Sequence, residues 1–212
     1  MRCLVYLTYC VAVSCALAVV QPLPNVQQAA PPAFCHDQEC PKYSVTQSFT
    51  GYELRHYEES VWVATNLTTM EFTQNDSSEM FFKLFHYISG NNSKHVKIPM
   101  TTPVILKVEH GPGPTCESFF YDHFMVPFEF QDDPPVPTDP SVYITVLPPF
   151  DVYVKSFGGR PSFDEKMAMI ESLVTEIADP SRFEERFYYF AGYDGPYTIN
   201  HRHNEVWLVA RH

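Results

Sequence analysis

From Pro41 onward, apolar and polar residues alternate along most of the chain, and this period of two predicts strands. Residues 43–47 alternate first. Residues 52–57 and 61–65 then flank a short polar turn and read as a hairpin. The period changes over residues 78–89, where Phe81, Leu84, Phe85 and Ile88 fall on one face of a helix that Gly90 stops. Strands follow at residues 96–98, 104–108 and 119–126, then a Pro-rich loop over 132–140. A second round begins with strands at 142–147 and 152–157 around a tight turn. A helix starts after Ser162, which forms a capping box with Glu165; Phe163, Met167, Ile170, Val174 and Ile177 mark its buried stripe. Strands at 187–191 and 205–210 close the chain. The repeated order of hairpin, helix and two strands predicts one α+β domain of two pseudo-symmetric halves. An antiparallel sheet with both helices on one face satisfies its layering.

The N-terminal pattern is different. Arg2 precedes an uncharged, mostly apolar run from Leu4 to Leu17, and Ala16-Leu17-Ala18 is the small-x-small pattern of a signal-peptide cleavage site. Residues 1–18 are therefore expected to be a signal peptide, 19–40 a Pro- and Gln-rich extended leader, and 41–212 the folded domain. No later segment is expected to span a membrane. The expected location is secreted and extracellular, and three N-glycosylation sequons, at Asn66, Asn75 and Asn91, agree with it. A glycan cannot be packed inside, so all three asparagines are expected to face solvent. Cys3, Cys10 and Cys15 leave with the signal, and Cys35, Cys40 and Cys116 remain as disulfide candidates in an oxidising compartment. Three pairings are possible. A bond to Cys116 constrains the unfolded chain most, which favours Cys116 as one partner.

Charge removes two classes of partner. The 212 residues carry 14 cationic and 25 acidic side chains, a net charge of −11, with no basic run. Losing Arg2 leaves 13 against 25, or −12. Nucleic acids and anionic membranes are poor partners for such a chain. Aromatic residues at 15% and nine histidines beside few cations suit a flat apolar ligand better than a phosphate. Zinc-protease, P-loop, dinucleotide and nucleophile-elbow motifs are all missing, so the chain is not expected to be an enzyme. Gly158-Gly159-Arg160 has the composition of an ordinary turn. His201, His203 and Glu205 would share one face of a strand in metal-ligand spacing, but the run lies close to a chain end and an exposed edge is the favoured reading. His56 falls on the face of Tyr52 and Leu54, as a half-buried histidine. Cys40-Pro41 resembles the Cys-Pro dipeptide of haem-regulated proteins, but an oxidising compartment favours a bonded cysteine over a thiolate.

Seven segments in order carry a resemblance: Pro41-Lys-Tyr43; Tyr52-Glu-Leu-Arg-His-Tyr57 with Trp62; Phe85-His-Tyr-Ile-Ser-Gly90-Asn91; Ile98-Pro-Met-Thr-Thr-Pro-Val104; Ser156-Phe-Gly-Gly159; Ala191-Gly-Tyr-Asp-Gly-Pro196; and Arg202-His-Asn-Glu-Val-Trp207. Over residues 41–210 the chain resembles the SOUL / haem-binding protein family. The resemblance implies a distorted antiparallel β-barrel or sheet with two main helices and two pseudo-symmetric halves. It also implies non-covalent binding of haem or another tetrapyrrole in an apolar cleft beside the first helix and the loop near Tyr193. His56 matches a proposed iron ligand of some members; Phe81, Phe85, His86 and Tyr193 are the further cofactor-binding candidates. Where other members place a helical Arg and Lys near the propionates, this chain has Ser78 and His86. The function implied is a secreted tetrapyrrole carrier, buffer or scavenger. The alternative is a small-ligand or protein-interaction module on the same fold without a haem site.

Overall fold

The computed structural model describes residues 31–113 and 116–211, so the expected signal peptide and most of the expected leader lie outside the described residues. The strands are β1 (Tyr43–Ser48), β2 (Glu53–Tyr57), β3 (Ser60–Thr69), β4 (Val104–Glu109), β5 (Ser118–Met125), β6 (Val142–Leu147), β7 (Phe150–Phe157), β8 (Phe187–Gly192) and β9 (Asn204–Val209). Helix α1 (Gln74–Ile88) follows β3, and α2 (Phe163–Ile177) follows β7. All nine strands join one curled antiparallel sheet, a half-barrel in the order β1-β2-β7-β9-β8-β4-β5-β3-β6.

That order is palindromic about the β8–β4 contact. Moving outward gives β9, β7 and β2 on one side and β5, β3 and β6 on the other, so the expected two halves exist but exchange their first strands. Leu54 of β2 pairs with Tyr153 of β7, and Ile144 of β6 pairs with Val63 of β3. The expected β2–β3 and β6–β7 hairpins therefore do not form. Their links explain this. Glu58-Glu59 and Pro148-Pro149 lack the Gly or Asn that tight hairpin turns need at positive φ, and proline cannot adopt such φ at all. β1 and β2 do form a hairpin, around Gly51 at φ 93°.

Both helices begin with a complete capping box, Thr73/Asp76 for α1 and Ser162/Glu165 for α2. The Thr73 cap starts α1 at Gln74, four residues before its apolar stripe suggests. Residues 96–98, expected as a strand, instead fold back on α1. Buried Asn92 donates to the Tyr87 and Val96 carbonyls at 3.0 and 2.8 Å and accepts from the Lys94 and Val96 amides, replacing a strand partner.

Alternation sorts the core. Val206 and Leu208 of β9 face the helices, where they meet Met80 of α1 and Ile170, Leu173 and Ile177 of α2. Leu173 is fully buried there, whereas Val174, expected on that stripe, is 36% exposed. Trp207 faces the opposite side, with Tyr57, Trp62, Ile105 and Tyr189. Residues 31–40, which read as leader, fold onto that opposite face through a short 3-10 turn (Ala33–Cys35) and a Cys35–Cys40 disulfide; both cysteines are buried. Cys116 is free and exposed, correcting the expected long-range bond. Its segment joins β4 to β5 beyond Glu109 and Ser118. Glu39 bonds Thr102, at the other end of β4. Six residues of strand, roughly 20 Å, lie between those ends, far beyond disulfide reach.

Candidate functional site

Helix α1 turns three aromatic rings outward. Phe82 and Phe85 are 53% and 41% exposed, and Phe81 is half-buried on Phe124 with ring centroids 5.1 Å apart. The rings form one patch, with centroids 5.7 Å apart for Phe81–Phe82, 6.0 Å for Phe81–Phe85 and 6.4 Å for Phe82–Phe85. Exposed His86 stands beside Phe82 at 6.4 Å. A cluster of exposed large apolar side chains is informative where scattered single ones are not. Tyr87 does not belong to the patch: it is buried and donates to the Pro135 carbonyl at 2.8 Å. The Ser78 hydroxyl donates to the Gln74 carbonyl within the helix.

Phe81 also borders a cleft of about 140 Å³ between α1, α2 and the sheet, lined by Phe72, Met80, Leu106 and Phe190 together with Asp122 and Lys166. That volume is close to a cavity that holds benzene and below the usual range for drug-sized ligands. Asp122 lies on the helix-facing side of β5 between Phe120 and Phe124 and is 5% exposed. Burial pushes its carboxyl up to about 8; the His123 backbone N–H and the Lys166 charge offset that only in part. Lys166 extends from α2 over the Phe190 ring, 5.6 Å from its centroid, and burial lowers its ammonium pKa, again opposed in part by Asp122. Sequence reading missed this pair. Its signal was an acidic residue alternating with two phenylalanines on one strand face.

The opposite face holds a closed polar network. Glu205, fully buried, accepts from Arg55 at 2.9 Å, from the Tyr193 hydroxyl at 2.8 Å and from the Trp207 indole at 2.8 Å, and pairs with His203 at 2.7 Å. Burial alone would raise its carboxyl, but the His203 hydrogen bond, the Arg55 charge and the Trp207 hydrogen bond together hold it below the ordinary glutamate value. Burial and the Glu205 charge push the Tyr57 and Tyr193 hydroxyls well up. Phe34 stacks on His203, with centroids 4.0 Å apart and planes 1° from parallel, so the disulfide-clipped segment lids the network. The spacing of His201, His203 and Glu205 thus serves an internal bond. His201 lies outside β9, and no cluster suited to a metal occurs among the described residues.

The expected ligand residues therefore separate. Phe81, Phe85 and His86 come together on α1. Tyr193 is 4% exposed and committed to the Glu205 network. His56 sits on β2, with four strands between it and β5 in sheet order, its side chain 46% exposed and Nδ1 bonded to Asp151 at 2.6 Å. The β8–β9 loop carries Tyr197 and Ile199, 94% and 82% exposed. Arg202 bonds the Asp194, Gly195 and Thr198 carbonyls, and Arg160 those of Pro196 and Thr198, so both cations brace this loop. Asn66, Asn75 and Asn91 are exposed.

A family model described as SOUL heme-binding protein matches residues 38–209. The chain is 38% identical over 164 residues to human Heme-binding protein 2, covering 76% of this chain and 78% of that protein. It is 31% identical over 157 residues to Heme-binding protein 1 of Sus scrofa, covering 72% and 83%. Among solved structures, the EcmrR C-terminal domain shares the fold at a TM-score of 0.54 and 11% identity, covering 80% of this chain and 98% of that one. With the half-barrel, its exchanged halves and the two capped helices, these matches place the chain in the SOUL heme-binding protein family.

Proposed function

We propose that the chain is a secreted, N-glycosylated member of its family that binds haem or a related tetrapyrrole non-covalently, as a carrier, buffer or scavenger and without an enzymatic step. The observation that carries this reading is the aromatic patch of exposed Phe82 and Phe85 with half-buried Phe81, the ring that borders the cleft, in a chain whose relatives are named heme-binding proteins. A tetrapyrrole is a broad apolar plate, and covering it yields on the order of 25 cal/mol per Å² before binding costs. The cleft is too small to enclose the macrocycle, so these rings are the residues that would hold it by apolar contact. Bound haem supplies an iron that an imidazole can ligate. His86 is the imidazole of this patch. His56, with its Nδ1 fixed by Asp151 in the way carboxylates orient metal-binding histidines, is the second candidate. Secretion rests on the residue 1–18 pattern and on the exposed sequon asparagines.

Haemin titration of the purified chain tests the proposal. A Soret shift is expected, weakened by Phe82→Ser with Phe85→Ser, both exposed positions that leave the core intact. His86→Ala and His56→Ala, measured side by side, identify the iron ligand by which one alters the spectrum. Absence of any shift with folded protein overturns the reading. Expression in a secretory cell should deliver the chain to the medium with a mass that falls on enzymatic deglycosylation, and Asn→Gln at positions 66, 75 and 91 should abolish that fall. The small volume of the cleft favours a second reading, a module for a smaller ligand; haemin-silent protein that retains another bound molecule would establish it.

A further inference from the structure

We propose that the cleft between α1 and α2 is a receptor for a carboxylate on an apolar body, with Lys166 as the cationic partner and Asp122 as a hydrogen-bond donor. Three observations meet there. The cleft is about 140 Å³ and apolar on most sides, enough for a benzene-sized group. Asp122 lines it while 5% exposed, with no side-chain donor bonded to its carboxyl among the described residues. Lys166 reaches the same space from α2 and lies over Phe190 rather than in a close ion pair.

An acid held neutral donates its proton, and a lysine with no carboxylate against it has its charge to offer. Together they recognise a carboxylate in the way a charged and a neutral donor share one anion. The other walls do not compete. α1 contributes Ser77 and Met80, β4, β7 and β8 contribute apolar side chains, Asn204 of β9 donates its amide to the Gly159 carbonyl, and Glu205 of β9 spends its carboxylate on the opposite face. Because Asp122 is poised to ionise at about 8, affinity should fall as pH rises through that value.

The carboxylate has two sources, a free aromatic or aliphatic acid and a propionate arm of a tetrapyrrole; in the second form the inference rests on the proposed function, in the first it stands without it. The test uses the purified chain with sodium benzoate and benzyl alcohol, and with protoporphyrin IX and its dimethyl ester, each followed by calorimetry. For a free acid, benzoate binds and benzyl alcohol does not. Lys166→Met then weakens benzoate about tenfold, and Lys166→Arg restores it. Wild-type affinity drops between pH 7 and 9, while Asp122→Asn, which keeps a donor and cannot ionise, shows a flat profile. For a propionate arm, only protoporphyrin binds, it exceeds its dimethyl ester, and the same Lys166 and Asp122 dependence appears. If Lys166→Met changes neither ligand, if benzoate and benzyl alcohol both bind and do so equally, or if none of the four compounds binds, the inference is overturned. Porphyrin binding that ignores Lys166 defeats it and leaves the tetrapyrrole reading standing. Lys166-dependent benzoate binding without porphyrin binding does the reverse.

Discussion

Glu205 and Asp122 are buried carboxylates on opposite faces of one sheet, and their environments could hardly differ more. Glu205 is met by Arg55, His203, Tyr193 and Trp207, and its carboxyl stays below the ordinary value. Asp122 is equally removed from water but is served by one backbone N–H and a lysine charge, and its carboxyl rises to about 8. Burial disfavours the charged form in both; the number of donors decides which form survives. A carboxylate with four partners is spent on structure. One that lacks them stays neutral and is free to meet something that enters the cleft.

The strongest way to break this contrast is at Glu205. Glu205→Ala should cost about 3–5 kcal/mol, because it takes the buried carboxylate from the Arg55 guanidinium, which is left with only the partly exposed Glu53 at 2.8 Å as an anionic partner. Chemical denaturation measures it, and the double variant Glu205→Leu with Arg55→Met should recover much of the loss. A single variant as stable as the wild type would show that the network is not held by its charges. A smaller effect tests the lid. Cys35→Ser with Cys40→Ser opens a loop whose ends are five residues apart, worth about 2 kcal/mol on the loop-entropy account. The loss should coincide with faster amide exchange around His203, where Phe34 stacks. Unchanged exchange there would mean the stacking needs no clip.

Alternation and helical period made much of this architecture legible. The strand expected at residues 142–147 matches β6 residue for residue, and those expected near β4, β5, β8 and β9 end within one residue of the observed bounds. Pairing was less legible. Chain neighbours suggest hairpins, but the exchanged strands obey a symmetry between halves that no local window contains. The sites divide along the same line. Phe81, Phe85 and His86 were found because one helical turn carries them. Arg55 and Glu205 lie 150 positions apart, and Asp122 and Lys166 sit on different elements, so only the folded sheet brings each pair together. Tyr193 reads as a ligand contact from its place in a motif, whereas its hydroxyl completes the Glu205 network.

The finest test of the contrast is the pH dependence of stability, where Asp122 and its neighbour His123 act with opposite signs. Folding raises the Asp122 carboxyl from 3.8 to about 8, so the native chain keeps a proton that the unfolded chain has released, and stability falls as pH rises through that interval. Folding lowers His123 from 6.5 to about 4, chiefly through burial, so its contribution is present above 6.5 and is lost as pH falls toward 4. Between about 4 and 6.5 the two slopes oppose each other and nearly cancel. Above 6.5 the His123 slope fades and that of Asp122 is left unopposed, and the wild type should lose about 1 kcal/mol over the pH unit from 6.5 to 7.5. Asp122→Asn removes that decline and, below 6.5, unmasks the His123 loss on acidification. Urea midpoints taken at half-unit steps of pH resolve both limbs. Parallel curves for wild type and Asp122→Asn would mean that Asp122 is already ionised in the folded chain, and the distinction drawn between the two carboxylates would then fail at its neutral member.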